Sequence, residues 1–186
     1  MNKIVYLFAA GAMALTACSN DPAYKISGTI ENVADGEFVY LSEAKGREMV
    51  KLDSAVVTAG AFTFEGRQDA PTSRYITYTP KEGRPSYYDF FLENGNIAMT
   101  LVKENPSVTG TPNNEIYQAY KNEIQPLNKQ YGDLYKQYRA EGTTDEQKAE
   151  LEKQMEEIDN KMNDLTYNTI DANIANPVGI HLWPDN

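Results

Sequence analysis

The chain has 186 residues, which is enough for one domain with a sizeable core and too few for two full-sized domains. Hydrophobic residues make up 41% and charged residues 24% of the chain, proportions that are typical of a globular protein and exclude wholesale disorder. With 17 basic and 27 acidic side chains the net charge is -10, which argues against nucleic acid or an anionic membrane surface as the main electrostatic partner.

Residues 1–17 resemble the signal peptide of a bacterial lipoprotein. Lys3 gives a basic start, an apolar run follows, and the segment leads into "LTAC", residues 15–18, which is similar to the lipobox motif. That motif implies transfer of a diacylglyceryl group to the Cys18 sulfur, cleavage between Ala17 and Cys18, and acylation of the new amine, as with palmitate. Several acyl chains give a stable membrane anchor, because each buried methylene contributes about 0.8 kcal/mol.

Two other interpretations of Cys18 are weaker. A chance cysteine beside an ordinary secretory signal would leave the match to the lipobox unexplained, and a redox thiol would need a second cysteine, which the sequence lacks. We therefore expect Cys18 to be the lipid attachment site, with residues 18–23 as a polar tether. The expected location is the cell envelope, on its periplasmic or its surface side, and Ser19 favours the outer membrane over the inner one.

Residues 24–111 alternate apolar and polar side chains in short runs, a pattern that predicts an antiparallel β-sandwich or an open barrel of seven or eight strands. Glycines that allow a positive φ are expected at the turns, at Gly36 after Asp35, at Gly60 and at Gly95. The predicted strands are 24–31, 37–43, 49–58, 61–67, 74–80, 87–93, 96–102 and 107–111.

Residues 113–175 change to a helical period, and two apolar seams typical of a coiled coil predict an antiparallel helical hairpin. Pro126 is expected to kink or interrupt the first helix near residues 123–125. Thr144 and Gln147 predict a capping box at the start of the second helix. The seams are Tyr117, Tyr120, Ile124, Leu127, Tyr131, Leu134 and Tyr138, then Leu151, Met155, Ile158, Met162, Leu165 and Thr169. The predicted fold class is therefore α+β, a β-sandwich followed by the hairpin.

Four landmarks in order give the chain a family resemblance. They are "YKISGTIENVADGEFVYLSE", "KLDSAVVTAGAFTFEG", "YYDFFLENGNIAMTLV" and "SVTGTPNNE". Together with the hairpin they make the chain similar to the β domain of unknown function that precedes a thioredoxin-like thiol-disulfide oxidoreductase domain in many Gram-negative envelope lipoproteins. The resemblance implies a module of the cell envelope with the sandwich-and-hairpin architecture.

Members of that family continue, after an Asn-Pro segment like Asn176-Pro177, into a thioredoxin-like fold with a Cys-x-x-Cys pair. This sequence has no such pair, so the thiol-disulfide activity of the family has no catalytic positions here. Residues 176–186 are interpreted as a truncated tail. Two alternatives stay open, a stand-alone module and the non-catalytic amino-terminal fragment of a membrane-anchored oxidoreductase.

Candidate catalytic residues are few. His181 is the sole histidine, which excludes a multi-histidine metal site, and its apolar neighbours favour packing over a role as a base. Asp89 and Glu93 would share one face of a strand, as a glycosidase pair could, but no pocket is predicted around them. Most acidic residues are interpreted as a solvated face, because they are scattered or concentrated in the helical segment "EQKAELEKQMEEID", and no calcium-binding loop is present. We expect no catalytic residue, no metal and no cofactor.

The sequence favours a lipid-anchored envelope module that is non-catalytic by itself and serves protein interaction or binding. Its expected partners are the membrane, through the lipid on Cys18, and an unidentified protein or glycan. A glycan-binding lipoprotein is an alternative, with Tyr78, Tyr87 and Tyr88 as exposed rings. The same run of aromatic residues is equally typical of a strand with one aromatic face buried, which we favour.

Overall fold

A computed structural model describes residues 23–80 and 83–184, so the predicted signal peptide and Cys18 lie outside the described residues. In these residues eight strands are followed by two long helices, which confirms the predicted order, and by a short third helix that the sequence pattern does not predict. The strands are β1 (Tyr24–Ile30), β2 (Phe38–Lys45), β3 (Glu48–Val56), β4 (Ala61–Gly66), β5 (Thr72–Tyr78), β6 (Ser86–Leu92), β7 (Gly95–Leu101) and β8 (Ser107–Thr109). The helices are α1 (Pro112–Tyr138), α2 (Asp145–Ala172) and α3 (Pro177–Leu182).

The strands form two mostly antiparallel sheets of four strands each, with the orders β4-β1-β7-β8 and β3-β2-β5-β6. The predicted sandwich is confirmed, with one exception to its antiparallel pairing: β1 and β7 run parallel, with Ile26 opposite Ile97. A parallel pair needs a long crossover, and the chain from β2 to β6 provides it. β6 and β8 each form one edge of a sheet.

The core lies between the two sheets and is built from alternate residues of their strands, since successive side chains of a strand point to opposite faces. Ile26, Phe64, Ile76, Phe90 and Ile97 are each at most 2% exposed. The predicted turn glycines are confirmed, with φ of 87° at Gly36, 72° at Gly60 and 134° at Gly95. These alternating strands and their turns are the part of the fold that the sequence pattern describes best.

The helical hairpin is confirmed, and its two seams provide the less exposed face of each helix. The capping box is present, since Gln147 N donates to Thr144 Oγ1 at 3.3 Å and Thr144 N donates to Gln147 Oε1 at 2.9 Å. Of the kink or interruption expected at Pro126, the interruption is wrong, because α1 continues through this residue. Pro126 and Asn122, whose carbonyl loses its helical partner, are both accessible at the surface, so water can solvate that carbonyl.

The segment after α2, which the sequence pattern leaves as a tail, contains the short helix α3. Asn176 caps this helix, because its Oδ1 accepts from Val178 N at 3.0 Å and from Gly179 N at 3.3 Å. Val178 is fully buried and packs with Phe91 of β6 and Tyr117 of α1. The helix therefore folds back onto the junction between the sandwich and the hairpin.

Candidate site at the junction of the sandwich and the helices

The strand β6 positions the junction, because its side chains alternate between two environments. Phe90 and Leu92 belong to the core of the sandwich. Asp89, Phe91 and Glu93 point the other way and meet α1 and α3. The unpaired edge and outer face of this strand are therefore covered by helices rather than by another strand.

Two side-chain amides of α1 replace the missing neighbouring strand at two sheet edges, at β6 in one sheet and at β8 in the other. Phe91 N of β6 donates to Asn114 Oδ1 at 2.9 Å, and Asn114 Nδ2 donates back to the Phe91 carbonyl at 2.7 Å. At the other sheet, Val108 N of β8 donates to Gln118 Oε1 at 2.8 Å. Asn114 is 1% and Gln118 is 6% exposed. One helix face thus ties the free edges of both sheets together.

The start of α1 is capped by a carboxylate from the sandwich. The side chain of Thr111, the N-cap residue, makes no capping hydrogen bond. Instead, Asn113 N donates to Glu93 Oε1 at 2.9 Å, and Asn113 Nδ2 donates to Glu93 Oε2 at 2.6 Å. A negative charge at a helix amino terminus is favourable because free N–H groups and the helix dipole face it. Glu93, 6% exposed, is therefore a buried structural carboxylate.

A cluster of rings fills the space between α1, α3 and β6. The Tyr117 ring lies edge-on to Phe91 and to His181, with centroid distances of 5.4 Å and 5.3 Å. His181 also meets Phe91 edge-on at 5.4 Å. Edge-to-face packing of this kind is favourable between aromatic quadrupoles. His181 therefore contributes a packing face, as its apolar neighbours in the sequence predict.

Asp89, Tyr117 and Lys121 form a partly buried polar group beside these rings. Tyr117 Oη donates to Asp89 Oδ2, and Lys121 Nζ lies 3.1 Å from the Asp89 carbonyl and 3.5 Å from Oδ1. Lys121 Nζ also lies 4.3 Å from the centre of the Tyr117 ring. The three side chains satisfy one another across the interface between β6 and α1.

The pKa values of this group follow from burial and from these contacts. Burial acts to raise the pKa of Asp89, but the Lys121 ammonium and the Tyr117 hydrogen bond outweigh it, so the pKa lies below its usual range. Burial, together with the negative charge of Asp89, raises the pKa of Tyr117. Burial lowers the pKa of Lys121 although Asp89 opposes the shift. At neutral pH the site therefore holds a carboxylate and a neutral phenol.

The hydrogen bond of His181 defines its tautomer. The single phenolic proton of Tyr117 goes to Asp89, so the 3.3 Å contact between Tyr117 Oη and His181 Nε2 requires a proton on Nε2. Burial lowers the pKa of His181, and this effect outweighs the attraction of Asp89. The imidazole is therefore neutral at neutral pH and acts as a donor to the phenol.

Each of the carboxylates considered for catalysis is engaged by groups of α1. Asp89 of β6 and Glu93, directly after this strand, do lie on the same side, but Asp89 binds Tyr117 and Lys121 whereas Glu93 caps α1. A pair of glycosidase carboxylates must instead flank an open cavity that admits the sugar. At the junction these side chains hold the sandwich and the helices together.

The three tyrosines considered for glycan binding do not share a surface. Tyr78 and Tyr88 pack against the core of the sandwich, whereas Tyr87, on the opposite face of β6, is 53% exposed. Within residues 23–80 and 83–184 no group of three His, Cys, Asp or Glu side chains could hold a metal ion. In the same part of the chain no helix is long and apolar enough to cross a bilayer.

Sequence reasoning missed the buried polar residues of this junction. Asn113, Asn114, Gln118 and Glu93 are polar residues that the sequence places at a helix start or a strand end, where exposure is the usual expectation. One signal was available, because Asn114 and Gln118 are four residues apart and lie on the same helical face. That face also carries Tyr117 and Lys121, the other contacts to the sandwich.

The fold and the junction define a class of protein, a two-sheet β-sandwich fastened to a helical hairpin by its first helix. The family model described as a domain of unknown function (DUF4369) matches residues 24–117, just over half of the chain. The chain belongs to this family, and the match covers all eight strands and the start of α1 with Asn114. No curated protein and no solved structure gave a significant match.

His181 should make the stability of the protein depend on pH in a defined window. The unfolded chain binds a proton near pH 6.5, and the folded chain does so only at a lower pH because burial lowers the pKa of the imidazole. Stability should therefore fall as the pH decreases from about 7.5 to about 5.5. In His181→Gln, whose amide can still donate to Tyr117, this fall should be smaller. Urea unfolding of the wild type and of His181→Gln at several pH values measures this fall. Equal slopes of the free energy of unfolding against pH would contradict the prediction.

Proposed function

We propose that the chain is a lipid-anchored module of the bacterial cell envelope, non-catalytic by itself, that binds another protein. The observation that carries the proposal is the lipobox-like "LTAC" at residues 15–18, only five residues before β1 begins at Tyr24. Such spacing attaches the folded part to the lipid through a short polar tether. The mutual pairing of Asp89, Tyr117 and Lys121 supports a structural rather than a catalytic use of the junction.

The helical hairpin is the best candidate for the binding surface. The hydrogen bonds and the ion pair that join α1 to the sandwich involve its first ten residues, up to Lys121. With 27 residues α1 is about 40 Å long, whereas the seven residues of β6 span about 24 Å. The hairpin therefore extends past the sandwich, where Tyr135 is 49% exposed.

The tip of the hairpin offers a shape that a partner could fill. An open cavity of about 520 Å³ lies there, lined by residues that include Ala140, Thr143 and Leu151. Glu146 and Glu150 also line it and give it a negative character. These features favour a protein partner that presents an apolar side chain next to a basic one.

Replacing Cys18 tests the anchor. In cells grown with a labelled fatty acid, Cys18→Ala should carry no label and should leave the membrane fraction, because the thiol is the acceptor of the first lipid. Asn20→Ala, which changes the tether and keeps the cysteine, should remain labelled and membrane-bound. Membrane retention of Cys18→Ala equal to that of the wild type would refute the anchor.

The same cells test the binding role. A photoreactive residue in place of the exposed Tyr135 should form a discrete cross-linked product with one partner, and this product should decrease in the Cys18→Ala background. A photoreactive residue at Ser54, on the exposed strand β3, is the matched control. Equal products from both positions, or none from Tyr135, would remove the hairpin as the binding surface.

A further inference from the structure

An exposed apolar surface lies where α2 ends and α3 packs beside it. Ile174, Ile180 and Trp183 are 66%, 59% and 49% exposed. Together with Ile170 and Gly179 they line a shallow cavity of about 230 Å³. Large apolar side chains that are grouped and exposed mark an interaction surface more often than isolated ones do. We call these five residues the α3 patch.

The segment that carries most of the α3 patch has no charged side chain of its own, and Asp171 directly precedes it. Residues 172–184 contain no Asp, Glu, Lys or Arg, although such residues make up 24% of the chain. His181, in the middle of this segment, points inward to Tyr117 and Phe91. The hairpin, in contrast, carries many of the acidic side chains, including those of the segment "EQKAELEKQMEEID". The sequence therefore separates an uncharged apolar segment around α3 from the acidic segment of the hairpin.

The α3 patch lies at the same end of the molecule as the tether. The Ala23 carbonyl accepts from Gly95 N at 2.9 Å. Gly95 lies directly against Thr111, the N-cap of α1, where a Cβ on the glycine would be 2.9 Å from Thr111 Cγ2. The helix α3 packs on the first turns of α1, with the rings of His181 and Tyr117 at 5.3 Å. The first residue of the fold and α3 are thus both next to the start of α1.

A lipid on Cys18 would hold this end close to the bilayer. The five Cα-to-Cα steps from Cys18 to Ala23 span at most about 18 Å when fully extended. The tip of the hairpin is at the other end of a helix about 40 Å long. Anchoring at Cys18 therefore brings the end with the α3 patch towards the membrane and leaves the acidic hairpin tip farther from it.

We propose that the α3 patch rests on the surface of the bilayer in which Cys18 is anchored, with Ile174 and Trp183 in contact with the acyl-chain boundary. This proposal rests on the lipid anchor of the proposed function and adds an orientation to it. Tryptophan beside aliphatic side chains suits the membrane interface, because its ring is apolar and its N–H can reach the polar headgroups. The contact orients the hairpin away from the membrane, where a protein partner can reach it.

A fluorescence experiment tests the contact, since Trp183 is the sole tryptophan and Cys18 the sole cysteine of the chain. The chain from Cys18 onwards, which contains the whole described fold, is coupled through its thiol to vesicles that carry a maleimide-headgroup phospholipid. The vesicles consist of phosphatidylethanolamine and phosphatidylglycerol, with or without bromine on the acyl chains. Brominated chains should quench the Trp183 emission roughly twofold, because interfacial rings lie within reach of the acyl-chain boundary.

Matched variants show whether the patch is responsible. Ile174→Ser should reduce the quenching, whereas Val56→Ser, at an exposed apolar position of β3, should leave it unchanged. Circular dichroism confirms that both variants fold. Equal emission from coupled protein on brominated and plain vesicles would overturn the proposal. A blue shift of Trp183 that grows with protein concentration without vesicles, and that Ile174→Ser removes, would assign the patch to a second copy and also overturn it.

The coupling separates this proposal from the anchor itself. Because the thiol is attached chemically, the measurement does not depend on whether cells lipidate Cys18. If the wild-type protein carried no fatty-acid label in cells but was quenched normally on vesicles, the natural anchor would be refuted. The affinity of the α3 patch for lipid would still stand. Normal labelling in cells without quenching would refute only the contact.

Discussion

Asn114→Ala should lower the free energy of unfolding by about 2–4 kcal/mol, because each buried group left without a partner costs about 1–3 kcal/mol. The substitution removes the partners of both the N–H and the carbonyl of Phe91, a residue that is 1% exposed. It also removes the donor to the Thr111 hydroxyl. Since whole domains are stable by only about 5–15 kcal/mol, this change would remove a large share of the total.

Urea unfolding followed by circular dichroism measures this effect. Asn128→Ala is the matched control, because Asn128 is exposed on the same helix, and alanine there should change stability by less than about 0.5 kcal/mol. A loss for Asn114→Ala no larger than that of the control would show that water satisfies the edge of β6 without the helix.

The strands and the two long helices could be predicted from the sequence because their signals are local. In β7, Ile97 and Met99 alternate with exposed residues, as a strand with one buried face requires. In α2, Met155 and Ile158 follow the helical period, and Thr144 with Gln147 marks where that period starts. Each of these elements can be identified from a window of about ten residues.

The junction could not be predicted because its contacts join residues far apart in the chain. Asn114 binds β6 and Gln118 binds β8, and neither pairing is visible without knowing that both strands are sheet edges. The parallel pairing of β1 with β7 has the same origin, since it depends on how the second sheet closes over the first. The residue pattern within a segment predicts whether that segment forms a helix or a strand. Which other elements it contacts depends on the packing of the whole chain.

The short helix α3 escaped prediction for an energetic reason. Six residues are far below the length at which a helix is stable by itself in water. Pro177 at its start and Asn176 as its cap are compatible with a helix, but they are equally typical of a turn. What stabilises α3 is the burial of Val178 against Phe91 and Tyr117, which is a tertiary effect.

Gly179→Ala should release α3 from its position and lower the free energy of unfolding by about 2–3 kcal/mol. A Cβ at this position would lie 2.3 Å from the Asn173 carbonyl oxygen and 2.7 Å from its carbon, and both are backbone atoms that cannot rotate away. Asn173 is the C-cap of α2, so relief requires that α3 move. The loss of stability cannot exceed the free energy with which α3 docks on the junction. Because Val178 is fully buried there, this docking contributes about 1.5–3 kcal/mol.

Helix propensity by itself predicts the opposite sign, which makes Gly132→Ala the matched control. Gly132 lies within α1, and a Cβ added there would meet nothing within 4 Å, so alanine should raise stability by about 0.5–1 kcal/mol. Urea unfolding gives both values, and Trp183 emission reports on α3 separately from the sandwich. If Gly179→Ala were as stable as Gly132→Ala, with unchanged Trp183 emission, the close contact with Asn173 would not hold α3 in place. If stability fell while emission stayed unchanged, the strain would be absorbed within α2 instead.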